Sequence, residues 1–151
     1  MLNQLTHHMN AAFHEAYMAQ EKQEVPVGAI VVYNHTIIGR GHNLTRTHCD
    51  PTAHAEIVAL RQAAQTIKQA YLWNCDVYVT LEPCAMCLGA MVQARIRHIY
   101  FGAYDPKGGA VDHGPCLLEH PTIHHKPMVT GGLFERRSCH LLKDFFKSKR
   151  L

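Results

Sequence analysis

The sequence predicts an α/β domain in which one sheet lies between layers of helices. Three observations carry that expectation: an amphipathic helical pattern opens the chain, strand-type and helix-type runs alternate through its middle, and a second amphipathic pattern closes it. With 151 residues and 47% hydrophobic content, the chain is long enough for one domain with a substantial core. It is too short for a separate recognition module, so residues 1–151 read as a single domain.

Leu5, Met9, Ala12, Phe13, Ala16 and Tyr17 recur at helical spacing and predict a first helix ending near Lys22. Residues 27–33 and 36–41 read as the arms of a β-hairpin around Asn34-His35, and a loop over 42–51 follows. Thr52 is the expected N-cap of a helix that carries His54 and Glu56 in its first turn and continues to about Lys68. Residues 75–80 read as a buried-type strand, 83–94 as a second helix starting at Pro83, and 98–103 as another strand. After a glycine-containing loop, 126–130 reads as a short strand. Residues 133–149 read as a closing helix with an apolar face of Phe134, Leu141, Leu142, Phe145 and Phe146. Met86, Leu88, Met91 and Val92 fall on several faces of the 83–94 helix, which fits either deep burial or a partial interface; on these residues alone burial is the simpler reading.

The chemistry is concentrated in two short segments, His54-Ala55-Glu56 and Pro83-Cys84-Ala85-Met86-Cys87. Cys84 and Cys87, at i and i+3, project from one face of a helix's first turn and can share an ion. The positive end of the helix dipole, together with a metal, favours the thiolates that coordination needs. His54 at a second helix start completes a one-imidazole, two-thiolate set for a single zinc ion, leaving the fourth tetrahedral position to water. Zinc brings the pKa of such a water down to about 7, and Glu56 is placed to take its proton and deliver it to a substrate nitrogen. Each half has a plainer reading, an ordinary first-turn glutamate and a buried or redox Cys-x-x-Cys, but the two halves in order at two helix starts favour the metal. A purely structural zinc needs a fourth protein ligand; Cys49, Cys75, Cys116 and Cys139 are candidates, and none makes a second close pair with another cysteine.

Composition sets further bounds. No apolar run is long enough to span a bilayer, and residues 1–10 lack the basic-then-apolar order of a signal peptide, so a cytoplasmic protein with no membrane partner is expected. Six cysteines, two with metal spacing and four scattered, suit a reducing compartment better than a disulfide framework. A formal charge of +3 makes non-specific attraction to nucleic acid mild, so basic residues matter only where they cluster.

The pairing of H-x-E with P-C-x-x-C resembles the zinc-dependent nucleobase deaminases, the signature by which that family is described. The segments 51–56, 79–87 and 102–110 together resemble the bacterial tRNA adenosine deaminases, and the similarity runs over nearly the whole chain. The resemblance implies a three-layer α/β/α cytidine-deaminase-like fold, with one mixed sheet of about five strands flanked by helices. It implies hydrolytic conversion of adenosine to inosine at the wobble position of a tRNA anticodon, in the family typically an arginine tRNA, by a zinc-activated hydroxide at C6 of a flipped-out adenine. His54, Cys84 and Cys87 would be the zinc ligands and Glu56 the proton shuttle. It also tips the reading of the 83–94 helix toward a homodimer.

Beyond the metal, Asn43 offers donor and acceptor groups suited to an adenine edge, and the matching family position contacts the flipped base; the plainer reading is a turn residue. Tyr104-Asp105-Pro106-Lys107-Gly108-Gly109 has an aromatic, a charge pair and glycines useful for holding a single-stranded RNA loop, and resemblance moves Asp105 and Lys107 toward ribose or phosphate contact. Solvated turn chemistry explains the same residues. Lys143, Lys147, Lys149 and Arg150 form a second basic patch that is equally explained as a solvated helix end. His120, His124 and His125 lack an accompanying ligand set and are assigned no role, and His7, His8 and His14 have no evident partner. Asp112-His113 stands where these deaminases commonly show Gly-Ser, and His124 where an Asn commonly precedes the next His, which bears on the RNA path rather than the zinc chemistry. Two other classes remain in view: a deaminase of a free base or cytidine-type nucleotide, and a non-catalytic zinc-stabilised binding module.

Overall fold

Strand alternation decides the layers of the computed structural model, which describes residues 2–149. Strands β1 (Gly28–Tyr33) and β2 (Thr36–His42) form an antiparallel hairpin. Its turn residues Asn34 and His35 have φ of 49° and 64°, the left-handed pair that a two-residue hairpin turn requires. β3 (Cys75–Leu81) inserts beside β1, antiparallel; β4 (His98–Ala103) and β5 (Met128–Thr130) follow in parallel, giving the order β2-β1-β3-β4-β5. The sheet is mixed and five-stranded, as expected from the family resemblance.

Along β1, Ala29 and Val31 point to one side and Ile30 and Val32 to the other, and all four are buried. The first side is covered by α2 (Ala55–Ile67) and α3 (Ala85–Gln93) through Ile57, Leu60, Leu88 and Met91. The second is covered by α1 (Leu2–Glu21) and α4 (Glu135–Lys149) through Met9, Phe13 and Leu141. Strands covered on both faces are largely apolar, which is why residues 75–80, with only Asp76 and Thr80 polar, read as a buried-type strand. Removing a fully buried ring such as Phe101 is expected to cost roughly 3–5 kcal/mol. A Cβ at Gly41 would run into the α2 backbone at Ala55 and Ala59, so this glycine lets α2 lie directly on β2. The crossover β3–α3–β4 delivers Glu82, Pro83 and Cys84 at the carboxyl end of β3, where open α/β sheets place their chemistry.

Several local expectations are corrected. Thr52 does not cap α2: its N–H and hydroxyl donate to Asp50 Oδ1 at 2.9 and 2.7 Å, and the N-cap is His54. The second helix starts at Ala85 rather than Pro83, with Cys84 as its N-cap. The last strand is confined to Met128–Thr130, and α4 begins at Glu135 because Phe134 takes a left-handed φ of 54°. Its apolar face is narrower than expected: Leu141 and Phe145 are buried, whereas Phe134 and Phe146 are exposed. In α3, Leu88, Met91 and Val92 are buried within the chain and Met86 is exposed. No helix among the described residues is long and apolar enough to cross a membrane.

Candidate active site

Two helix N-termini meet at one point because both N-cap residues carry metal-type side chains. His54 (φ −71°, ψ 156°) and Cys84 (φ −74°, ψ 172°) have extended backbones suited to capping, yet neither side chain caps its own helix. They turn toward each other instead. His54 Nδ1 lies 3.6 Å from Cys84 Sγ and 3.5 Å from Cys87 Sγ, and all three donor atoms fall within 4.8 Å of one another. Tetrahedral zinc, with Zn–N and Zn–S distances of about 2.0 and 2.3 Å, separates its donors by about 3.5–3.8 Å. The residues therefore fit one ion. Among the described residues no fourth His, Cys, Asp or Glu joins the group, so Cys49, Cys75, Cys116 and Cys139 do not close it as a structural site.

The protonation of this corner follows from crowding. Without an ion, a proton is shared between the two sulfurs: hydrogen bonding from Cys87 draws Cys84 down to about 4, while the same contact and burial push Cys87 up. His54 is raised chiefly by its hydrogen bond to Cys84. Glu56, 4% exposed in the first turn of α2, has its carboxyl pushed up to about 7, first by burial and further by the nearby Cys84 thiolate, against opposing hydrogen bonds from its own amide and Cys87. A carboxyl held there exchanges protons readily near neutral pH.

Glu56, His54 and Cys84 line a cavity of about 400 Å³ that is walled by Val27, Asn43, Leu81, Glu82 and Asp105. Asn43 Oδ1 accepts the Thr45 N–H at 3.2 Å, so Asn43 both shapes a turn and reaches the cavity. Asp105 also lines it, and its Oδ1 accepts the N–H groups of Lys107 and Gly108 at 3.2 and 3.0 Å. Lys107 does not line this cavity; it is exposed and lines the adjoining groove of about 1060 Å³ between the 104–108 loop and α4. Of the C-terminal basic patch, Lys143 and Lys147 line the groove beside Tyr104 and Phe146. The Lys149 ammonium is turned to Gln23 Oε1 (3.3 Å), and Arg150 lies outside the described residues. His120, His124 and His125 form no ligand cluster; His120 bonds Thr122, and His125 reaches the Ile96 carbonyl at 2.7 Å.

Two carboxylates that sequence reading passed over hold the cavity rim. Glu24, 1% exposed, accepts the N–H groups of Arg46 and Thr47 at 3.3 and 2.8 Å and so braces the loop that follows Asn43. Glu82, 2% exposed, accepts the N–H groups of Asp105, Val111, Asp112 and His113 and the His113 side chain. Burial alone would raise Glu82, but the Asp105 amide, the His113 side chain and the other amides hold it below the usual carboxylate range. The available signal was a lone carboxylate between the end of β3 and Pro83-Cys84.

A mixed five-stranded sheet that brings one imidazole, two thiols and a buried glutamate to a pair of helix starts defines the deaminase class. The chain belongs to the MafB19-like deaminase family, whose model matches residues 3–150, and to its tRNA-specific adenosine deaminase members. It is 49% identical to a tRNA-specific adenosine deaminase of Agrobacterium fabrum over 97% of this chain and 96% of that one. It is 41% identical to that of Bacillus subtilis over 95% of this chain and 89% of the other. A solved structure described with A-to-I editing by tRNA:A34 deaminases at the wobble position superposes with a TM-score of 0.89 at 49% identity, covering 91% of this chain and 99% of that one.

Proposed function

We propose that residues 1–151 form a single zinc-dependent deaminase domain that converts adenosine to inosine at the wobble position of a tRNA anticodon, with an arginine tRNA as substrate. The observation that carries this reading is the meeting of His54, Cys84 and Cys87 donors at 3.5–3.6 Å beside the buried Glu56, in a chain similar over nearly its full length to tRNA-specific adenosine deaminases. His54, Cys84 and Cys87 would hold one zinc ion, which when bound supplies the Lewis acidity that makes water nucleophilic near neutral pH. Glu56 moves the protons. Its carboxylate takes one from the attacking water as the C–O bond forms at C6 of adenine and gives it to ring N1; it then takes the proton of the new C6 hydroxyl and carries it to the exocyclic amine, the C–N bond breaks, the C6 carbonyl of inosine forms and ammonia leaves.

Asn43 presents its amide to the edge of the flipped base, and Asp105 takes the ribose or phosphate on the opposite wall. Neighbouring nucleotides run into the groove, where Lys107, Lys143 and Lys147 meet phosphates and Tyr104 and Phe146 offer rings for stacking. Met86, 38% exposed, and Gly89, with open space where a side chain would stand, give α3 a face on which two copies pair as a homodimer. Such an enzyme works in the cytoplasm, on tRNA.

The purified protein is incubated with an anticodon stem-loop carrying a wobble adenosine, and inosine is read by sequencing beside free cytidine and guanine controls. Inosine in the hairpin alone supports the reading. Turnover of a free base or nucleoside without RNA moves the protein to the small-molecule deaminases, and zinc without ammonia release from any substrate makes it a binding module. Light scattering that finds a monomer at active concentration removes the dimer.

A further inference from the structure

We infer that Glu82, seated against Gly109 and supplemented by His113, is a positioning residue that sets the wall between the catalytic cavity and the adjoining groove, and thereby governs how tightly a polymeric substrate is held. The inference rests on the RNA function proposed above. Glu82 itself does not touch the substrate: its carboxylate is turned into the 105–113 loop, and its side chain is fully shielded from solvent.

Five donors converge on that carboxylate. Oε1 accepts the Asp105 N–H at 3.0 Å and His113 Nδ1 at 2.8 Å; Oε2 accepts the N–H groups of Val111, Asp112 and His113 at 3.0, 2.9 and 3.3 Å. One side chain thus ties both ends of a nine-residue loop. Asp105 and Gly108 of that loop line the catalytic cavity and the groove alike, so the loop is the partition between them. The Ala110 N–H bonds the Pro83 carbonyl at 2.9 Å and pins the loop's middle next to Cys84. Displacing the partition strands buried donors, which makes its position stiff.

Gly109 is part of the same device. A Cβ there would stand 2.5 Å from Glu82 Cδ and Oε2, so the carboxylate occupies the space that any larger residue would need. His113 adds to it from the far end of the loop: its imidazole reaches Glu82, and its ring meets Tyr104 edge-on at 6.1 Å. The latter contact couples the anchor to the aromatic of the groove.

The test compares wild type with Glu82→Gln, Gly109→Ala, His113→Leu and His113→Asn, the last of which keeps an N–H close to the position of Nδ1. For stem-loop deamination, the first three should raise KM by roughly tenfold, with kcat within about twofold and zinc content unchanged, while His113→Asn stays near wild type. Hydrogen exchange at the amides of Asp105 and residues 111–113 should speed up in the first three and not in His113→Asn. Unchanged KM with depressed kcat, zinc loss in all three, or unaltered exchange in the loop would overturn the inference. If wild type leaves the stem-loop unedited, the proposed function falls, and the exchange measurement still decides whether Glu82 anchors the loop.

Discussion

Glu56 and Glu82 are buried to nearly the same degree, 4% and 2% exposed, and line the same cavity, yet their carboxyls are driven in opposite directions. Glu56 is pushed up to about 7, whereas Glu82 is held below the usual range. Burial costs both their charge; what differs is the company. Glu82 is ringed by four loop amides and an imidazole, while Glu56 has its own amide and faces a thiolate. The number of N–H donors separates a carboxylate that scaffolds from one that carries protons.

The largest expected effect is on catalysis. Glu56→Ala should lower inosine formation by about 10²–10⁴-fold while elemental analysis still finds zinc, because the ligands are untouched. Full turnover in that zinc-loaded variant would take Glu56 out of the mechanism.

Glu82→Ala should instead act on stability, by on the order of 3–5 kcal/mol at pH 7 in urea unfolding, since it leaves several buried donors unpartnered. The sign follows from its depressed pKa: the folded state binds fewer protons than the unfolded one, so the contribution is present above the unfolded value near 4.5 and lost as pH falls through the lower folded value. The gap between variant and wild type should therefore narrow on acidification.

Glu56 has the reverse sign. In metal-free protein its raised pKa means that the folded state binds the extra proton, so stability falls as pH rises from about 4.5 to about 7. Glu56→Gln should then stabilise the metal-free protein at pH 8 by up to about 3 kcal/mol and by little at pH 4. An equal gain at both pH values would refute the assignment.

Smaller effects probe the walls. Asn43→Ala should slow deamination by roughly 10- to 100-fold and destabilise by no more than about 1 kcal/mol, because its turn bond to Thr45 is partly solvated. Smallest of all, Lys143→Ala and Lys147→Ala should each flatten the log–log salt dependence of stem-loop binding by about 0.7, whereas Lys149→Ala, turned toward Gln23, should not.

Much of this was legible in the residues. The hairpin around Asn34-His35, the strand over 98–103 and the two metal segments all depend on local spacing, and local spacing survives folding. Both helix starts lie two residues later than local preference places them, with Thr52 as a cap and Pro83 as a first helical residue, because His54 and Cys84 take the cap positions and converge on each other. Asp105 and Lys107 both line the groove, but only Asp105 also reaches the catalytic cavity, a difference that loop conformation and not spacing decides. Glu24 and Glu82 went unnoticed because their partners lie more than twenty residues away.

By itself the amino-acid order determined which groups are available: an imidazole, two thiols three apart, a carboxylate two residues from the imidazole, and the periodicities of the elements that carry them. Only the folded chain decided that β3 lies between β1 and β4, that the two helix starts meet, and which buried glutamate has its carboxyl pushed up and which has it held down. The reason is physical: periodicity is a property of neighbours along the chain, whereas desolvation and hydrogen-bond supply are set by groups that come together only in three dimensions.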